Sequence, residues 1–471
     1  MVFSSAIFLF VFLPAFLIAS TVTSRMGAYV RNLNIAIFSL AFYVFGGGIF
    51  TLILIGSILF NWAYGRFVIA HHRSNYLLAI GIAVNLAPLL VFKYLDFLFA
   101  ISTQYFFKPF FHTDAPVLNL FLPAGISFYT FQAVSYLVDI YRRHVEPEKN
   151  LTTFAAYKLF FPQLVAGPIV RFVEVKENFH NSRMTLSGLS AGIFFFGVGF
   201  AKKMLIADPI GHHVDAIYAM GPDLVTGFMA WFASVGYFLQ IFFDFSGYSE
   251  MAIGMGLMVG FSFPENFRQP YRAHSITDFW RRWHMTLSRW FRDYLYIPLG
   301  GNKSGLTRTL INLWIVFLLC GLWHGAALTF VAWGAYHGAL LVIERVSKKA
   351  WNYEPSGVVG FALTTLLVII GWVLFRATDF AQAGQMLAKL AFIDRSGVSP
   401  YSWSYYLTPY MTAVFAVGFV FAWLPMETWR VRERLTGIWA SAGAVVGTLL
   451  CVASASVLAA KGFNPFIYFQ F

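Results

Sequence analysis

The sequence predicts an all-α, polytopic integral membrane protein, on the strength of its composition, its recurring long apolar runs and the scarcity of charge inside them. Of 471 residues, 59% are hydrophobic, 19% aromatic and 11% charged, and the mean hydropathy is +0.66. Soluble domains carry about 25% charged residues. A spanning helix needs roughly 20 apolar residues. Candidate runs lie near 2–21, 33–47, 48–66, 77–100, 117–139, 154–170, 187–207, 224–261, 309–343, 357–375, 404–424 and 436–460. The run 309–343 is long enough for two segments, so about eleven spans are expected, with re-entrant or interfacial helices between them.

The first apolar stretch has no basic residues before it, whereas Arg25 and Arg31 follow it. That order is wrong for a cleaved secretory signal, so the stretch is expected to stay as the first helix. The positive-inside rule then puts the 22–34 loop in the cytoplasm. The net charge of +12 reads as loop lysine and arginine facing anionic lipid, and no basic soluble segment suggests nucleic acid as a partner. Cys320 and Cys451 both fall in apolar segments, with neither metal spacing nor a disulfide framework. No repeat, Pro/Ser-rich linker or long charge run divides the chain, so a single membrane domain over 1–471 is expected.

Within 309–343 stands His324, in Leu322-Trp-His-Gly325, with Arg308 and Glu344 as the nearest charged residues on either side. An ionisable side chain at membrane depth is by default a candidate functional group. Imidazole, with an ordinary pKa of ~6.5, is also suited to taking and returning a proton near neutrality. The alternative is a core histidine bonded to a neighbouring helix.

The longest polar interval is 262–308, with eight Lys/Arg against three acids, a net of +5. Placed on one helix at about 100° per residue, Arg281, Arg282, Arg289, Arg292, Asp278 and Asp293 of this interval share one arc. Phe279, Trp280, Trp283, Leu287, Trp290, Phe291 and Tyr294 share another, and His284 falls on the seam. A basic, cytoplasmic-side amphipathic helix at about 275–296 is expected. It either lies among lipid headgroups or presents arginines to an anionic donor, for which the planar guanidinium is suited.

A third polar feature is Gln240, Asp244 and Tyr248, at i, i+4, i+8 spacing in an apolar stretch. Asp244 has three open roles: orienting a histidine, pairing with an arginine of 268–292, or packing through Gln240 and Tyr248, with Gly247 a candidate helix break. His71, His72, His112, His144, His180, His212 and His213 read as solvated surface. His337 lies about 140° from His324 on a continuous helix, so the two share a face only if the helix bends. The sequence has no metal-ligand spacing, no Walker A loop and no nucleophile elbow, which leaves a phosphate-driven pump or a serine hydrolase without support.

One ordered set of motifs resembles a known family. It comprises Leu122-Pro-Ala-Gly-Ile-Ser-Phe-Tyr129, Phe161-Pro-Gln-Leu-Val-Ala-Gly-Pro-Ile169, Phe243-Asp-Phe-Ser-Gly-Tyr-Ser-Glu-Met-Ala-Ile253, Glu265-Asn-Phe267, Phe279-Trp-Arg-Arg-Trp-His284, Asp293-Tyr-Leu-Tyr-Ile-Pro-Leu-Gly-Gly-Asn302 and Leu322-Trp-His-Gly325. Together these resemble bacterial membrane-bound O-acyltransferases (MBOAT), and most of all the alginate O-acetylation branch. The opening Met-Val-Phe-Ser-Ser5 and the closing Pro465-Phe-Ile-Tyr-Phe-Gln-Phe471 are similar to that branch too.

The resemblance implies tilted helices around a central tunnel, with His324 catalytic, His284 of a second characteristic segment catalytic with it, and Asp244 in support. It also implies a multi-pass protein of the bacterial inner membrane that O-acetylates an extracytoplasmic, alginate-like exopolysaccharide. The donor is a cytoplasmic thioester, either acetyl-CoA or an acyl-carrier protein, and no cofactor is permanently bound. An extracytoplasmic acetyl-transfer protein, membrane lipid and a cytoplasmic donor protein are the implied partners. Arg281, Arg282 and Trp283 are candidates for donor binding, and Trp323 and Asn312 for steadying an oxyanion. Other acceptors within the fold are cellulose, peptidoglycan and, for D-alanylation, teichoic acid. The competing class is a polysaccharide or proton-coupled transporter with Asp244 and His324 as a relay.

Overall fold

The computed structural model describes residues 2–103, 107–111, 118–424 and 438–461. Every regular element among them is helical. Without water, backbone N–H and C=O groups must be satisfied within each segment, and helices do that. Seven helical runs are long and apolar enough to cross a membrane: Ala28–His72, Asn75–Ser102, Leu186–Tyr218, Gly227–Met258, Gly305–His324, Gly357–Arg376 and Trp439–Ala460. Phe8–Thr23 and Pro409–Trp423 are shorter apolar helices. The protein is therefore a multi-pass membrane protein. Ala28–His72 is 45 residues long, about twice what one crossing needs, and it changes direction at Gly48, whose φ is +50°. The expected runs near 117–139 and 154–170 give shorter helices, stopped by Gly125 at φ +74° and by the non-helical Phe160 before Pro162. His112 and the Pro465-to-Phe471 motif lie outside the described residues.

The helices used below are α1 (Leu13–Thr23), α2 (Ala28–Gly47), α3 (Thr51–Ala63), α4 (Asn75–Leu89), α5 (Ile126–Tyr141), α6 (Leu151–Leu159), α7 (Phe172–Asn181), α8 (Leu186–Ala201), α9 (Asp208–Tyr218), α10 (Gly227–Met258), α11 (Ile276–Arg282), α12 (Met285–Phe291), α13 (Gly305–His324), α14 (Leu328–Trp351), α15 (Gly357–Arg376), α16 (Phe380–Leu390), α17 (Pro409–Trp423) and α18 (Ile438–Lys461). The chain divides into two units, Met1–Gly192 with Ala252–Pro264, and Ile193–Met251 with Glu265–Phe471.

In the first unit the ring of Phe161 is a hub. Phe3, Phe8, Phe12, Phe16 and Phe42 all pack on it, with centroids 5.0–6.2 Å away. In the same unit, Asn61 of α3 and Asn85 of α4 exchange side-chain hydrogen bonds of 2.8 and 2.9 Å. This pairing satisfies two amides that apolar surroundings would otherwise penalise.

The second unit is organised around the α13–α14 hairpin. Gly321 and Gly334 face each other where the helices cross. A Cβ on Gly321 would stand 2.2 Å from the Phe330 carbonyl oxygen, and one on Gly334 would stand 2.3 Å from that of Phe317. Backbones this close exclude any side chain. Gly334→Val is therefore expected to destabilise by about 3 kcal/mol or more, at or beyond the usual cost of overpacking. The fraction of monodisperse protein and its Tm in detergent, set against Gly384→Ala at a site with no heavy atom within 4 Å, check this.

Candidate active site

The helical repeat of α13 lays out the approach. Thr309, Leu313, Val316, Phe317 and Cys320 form one stripe, and all five line a cavity of about 360 Å³. The next residue on that stripe is His324, one turn beyond Cys320. His324 ends α13, and α14 turns back at Leu328 to bring Trp333 against its ring at 5.1 Å. Phe375 at the end of α15 and Trp323 close two more sides, at 5.4 and 5.0 Å. His324 is 4% exposed.

The expected continuous helix at 275–296 is instead two seven-residue helices that meet at His284. His284 takes φ +43° and ψ +53°, a left-handed conformation that closes α11 and opens α12. The cause lies upstream, in a strand-like stretch running beside the break. The N–H of Arg268 donates to the Arg282 carbonyl, and that of Met285 to the Asn266 carbonyl, both at 2.9 Å. Glu344 of α14 anchors the entry to α11 by accepting from the N–H groups of Ile276 and Thr277 and from the Thr277 hydroxyl. An anion at a helix N-terminus is favourably placed.

The turn brings His284 to His324, with ring centroids 6.4 Å apart and the Trp323 ring 5.9 Å from His284. Trp283 is fully buried beside them, 4.8 Å from Trp372 and 5.0 Å from Phe267. His284 is itself fully buried, and Phe245 packs on its ring at 4.8 Å. Burial pushes the pKa of His284 down to about 3, so its imidazole is neutral.

Asn266 decides which nitrogen of His284 carries the proton. Its Oδ1 accepts from the Thr286 N–H at 3.3 Å and from the Thr286 hydroxyl at 2.8 Å, while its Nδ2 donates to Ser249 Oγ at 3.0 Å. A backbone N–H only donates, so the atom it meets is the oxygen. His284 Nδ1 meets that same oxygen at 3.1 Å and therefore carries the hydrogen. Nε2 is left as an acceptor, buried and without a protein partner among the described residues. Sequence reasoning missed Asn266, and its only signal was the Glu265-Asn-Phe267 motif.

His337 also joins the cluster, because the break between α13 and α14 supplies the bend that a shared site requires. The Trp280 indole donates to its Nδ1 at 3.3 Å, and Trp333 packs against both His337 and His324.

Other expected site residues are placed differently. Asn312 is twelve residues before His324, about 18 Å along the helix. Its amide is committed to the carbonyls of Leu299 and Gly301, both at 3.2 Å, so it straps a loop and does not serve an oxyanion at His324. Arg282 pairs with Asp278 at 2.8 Å, whereas Arg281 lines the cavity. Asp244 pairs with Lys203 at 2.8 Å, and Lys203 also binds Asp208 at 2.7 Å. Its neighbour Phe245 is the residue that faces His284. Gly247 does not break α10, which is continuous, but admits the Gly199 carbonyl of α8 to 2.6 Å from where a Cβ would stand.

At the cavity mouth stand Arg281, Arg292, Arg345 and Lys348. Arg292 pairs with Asp293 and Lys348 with Glu354, while Arg281 and Arg345 have no acidic partner among the described residues. No cluster of His, Cys, Asp and Glu fit to hold a metal occurs among them either. A cavity bordered by arginines and by the apolar face of α13, the helix whose last residue, His324, stands beside the buried His284, suits acyl transfer within a membrane. The comparisons agree. The membrane-bound O-acyltransferase family description matches residues 144–378. The chain is 40% identical to the probable alginate O-acetylase AlgI of Pseudomonas putida over 501 aligned positions, covering all of both chains. It is 35% identical to the peptidoglycan O-acetyltransferase of Helicobacter pylori, covering 85% of this chain and 81% of that one. To the teichoic acid D-alanyltransferase of Bacillus subtilis it is 30% identical, covering 54% and 67%. The protein belongs to the MBOAT family and is an O-acyltransferase.

The lowered pKa of His284 has a measurable sign. Between about pH 6.5, the ordinary value, and about pH 3, the unfolded chain binds a proton that the folded His284 does not. Stability therefore rises with pH across this window, by up to about 1.4 kcal/mol per pH unit from this group. Thermal unfolding from pH 4 to 7 is expected to show a shallower pH dependence in His284→Gln than in the wild type.

Proposed function

We propose that the protein transfers an acetyl group from a cytoplasmic thioester to a hydroxyl of an extracytoplasmic, alginate-like polysaccharide, with His324 as the general base. The observation that carries this reading is the stripe from Thr309 to Cys320, which lines the cavity and continues to His324 beside the acceptor nitrogen of His284. The donor's phosphates meet Arg281 and Arg345 at the mouth, and its thioester arm lies along Leu313, Phe317 and Cys320. Guanidinium groups and an apolar wall suit those two parts of one molecule. Full-length similarity to alginate O-acetylases supports the acceptor class.

In the reaction, the acceptor hydroxyl attacks the thioester carbonyl as His324 takes its proton. The tetrahedral oxyanion collapses, the C–S bond breaks, and the imidazolium returns the proton to the departing thiolate. His284 Nε2 accepts from a neighbouring hydroxyl of the acceptor and so holds the attacking oxygen against the carbonyl, and the Trp323 indole steadies the oxyanion. No permanently bound cofactor takes part. The protein works in the bacterial inner membrane, where lipid surrounds it. The donor is acetyl-CoA or a cytoplasmic acyl-carrier protein, and an extracytoplasmic acetyl-transfer protein completes delivery to the polymer.

The test is ester formation and free thiol release from radiolabelled acetyl-CoA, by protein in lipid with its acceptor. His324→Ala is expected to lose about 10²–10⁴ in rate, the usual contribution of a positioned base. Undiminished turnover by a folded, inserted His324→Ala protein would overturn the assignment. Arg281→Ala is expected to raise KM for the donor several-fold with kcat little changed, as for a contact made equally in ground and transition states. Initial rates against donor concentration separate the two constants.

A further inference from the structure

The first unit holds a second cavity, of about 670 Å³, between the α1–α2 turn and the segment that leads from α7 into α8. Its size falls within the ~300–1,000 Å³ of small-ligand sites. Arg25, Arg31, Arg183 and His180 line it, and no acidic side chain among the described residues does. His180 already pairs with Glu148, at 3.0 Å.

The three arginines are not equivalent. Arg31 is 6% exposed, and its guanidinium donates to the carbonyls of Asn178, Phe179 and Ser182 at the end of α7. A cation there neutralises the negative end of that helix, so the floor of the cavity does not repel an anion. Arg25 and Arg183 are exposed and have no acidic partner among the described residues. Two helix beginnings also border the space, at Ala28 of the 20-residue α2 and at Leu186 of the 16-residue α8. In α8 the Thr185 hydroxyl caps the Gly188 N–H at 3.0 Å, and the amides before Gly188 lack a partner within the helix.

Cytoplasmic-side arginines often face anionic headgroups diffusely, but that alone needs no cavity. Here two guanidinium groups without an acidic partner and two positive helix ends border one basin, with no carboxylate among the described residues that line it. We propose that this basin binds a phosphate group, carried either by an anionic phospholipid headgroup or by a soluble phosphate compound. Helix N-termini and arginine forks both provide the donors that phosphate oxygens accept.

The test uses the full-length protein in a neutral detergent at low ionic strength, with Tm followed against added phosphatidylglycerol, diacylglycerol or inorganic phosphate. The comparison is with Arg25→Ala/Arg183→Ala, which leaves the structural Arg31 in place, and with Arg25→Lys/Arg183→Lys, which keeps the charge. Phosphatidylglycerol is expected to raise the wild-type Tm, with about tenfold or more needed for the same effect on the alanine pair, as for lost charge-assisted bonds. The lysine pair is expected to lie between the two, and diacylglycerol to do nothing. A response to inorganic phosphate alone that the alanine pair loses assigns the same site to a soluble source. Equal responses of wild type and alanine pair, or no response to either phosphate-bearing probe, would overturn the proposal. If the alanine pair does not fold, Arg25→Gln alone, at an exposed position, decides between the same outcomes.

Discussion

A polar group carried into apolar surroundings has to find its partner inside the protein, and most of the internal organisation follows from that constraint. Asp244 and Asp208 share Lys203. Arg31 takes the carbonyls at the end of α7, Asn61 and Asn85 take each other, and Glu344 takes the opening amides of α11. Removing one member of such a set leaves a buried group uncompensated, which costs far more than the set contributes when intact. Against that background, a neutral imidazole whose Nε2 has no protein partner among the described residues stands out, and His284 supplies one beside His324.

The same rule explains how rigidly the site is held. His284 is fixed through its backbone by the 266–268 stretch, through its ring by Asn266, and on its open side by Phe245 and the indole of Trp323. His324 is fixed by the glycine crossing of α13 and α14 and by Trp333 and Phe375. Locked rotamers of this kind hold reacting groups where chemistry needs them, so little ordering remains to be done when substrates arrive.

Much of this was legible in the amino-acid sequence, because hydrophobic runs and helical stripes are local. The class of protein, the two helices within 309–343 and the prominence of His324 all follow from patterns a few turns long. Wherever the outcome depended on a partner distant in sequence, the reading fell short. The arcs of 275–296 were sound for either half, yet no wheel shows the break at His284, which is set by Asn266 eighteen residues earlier. Asp244 was recognised as needing a partner, but Lys203 lies on another helix, and nothing in the local pattern pairs the two. Asn312 shares a helix with His324 and nothing else. Its amide answers to loop carbonyls that periodicity does not reveal.

The left-handed turn at His284 also bears on how the protein is made. Chain synthesis proceeds from the N-terminus, so the ribosome delivers residues 265–296, basic and unsuited to hydrocarbon, before the hairpin that receives them. The rings around His284 and His324 come from positions as late as Trp372 and Phe375. The enclosure of Trp283 and His324 can therefore be complete only once α15 has been made. A chain truncated before Gly357 would keep both histidines yet lack the aromatic wall of α15 that encloses them.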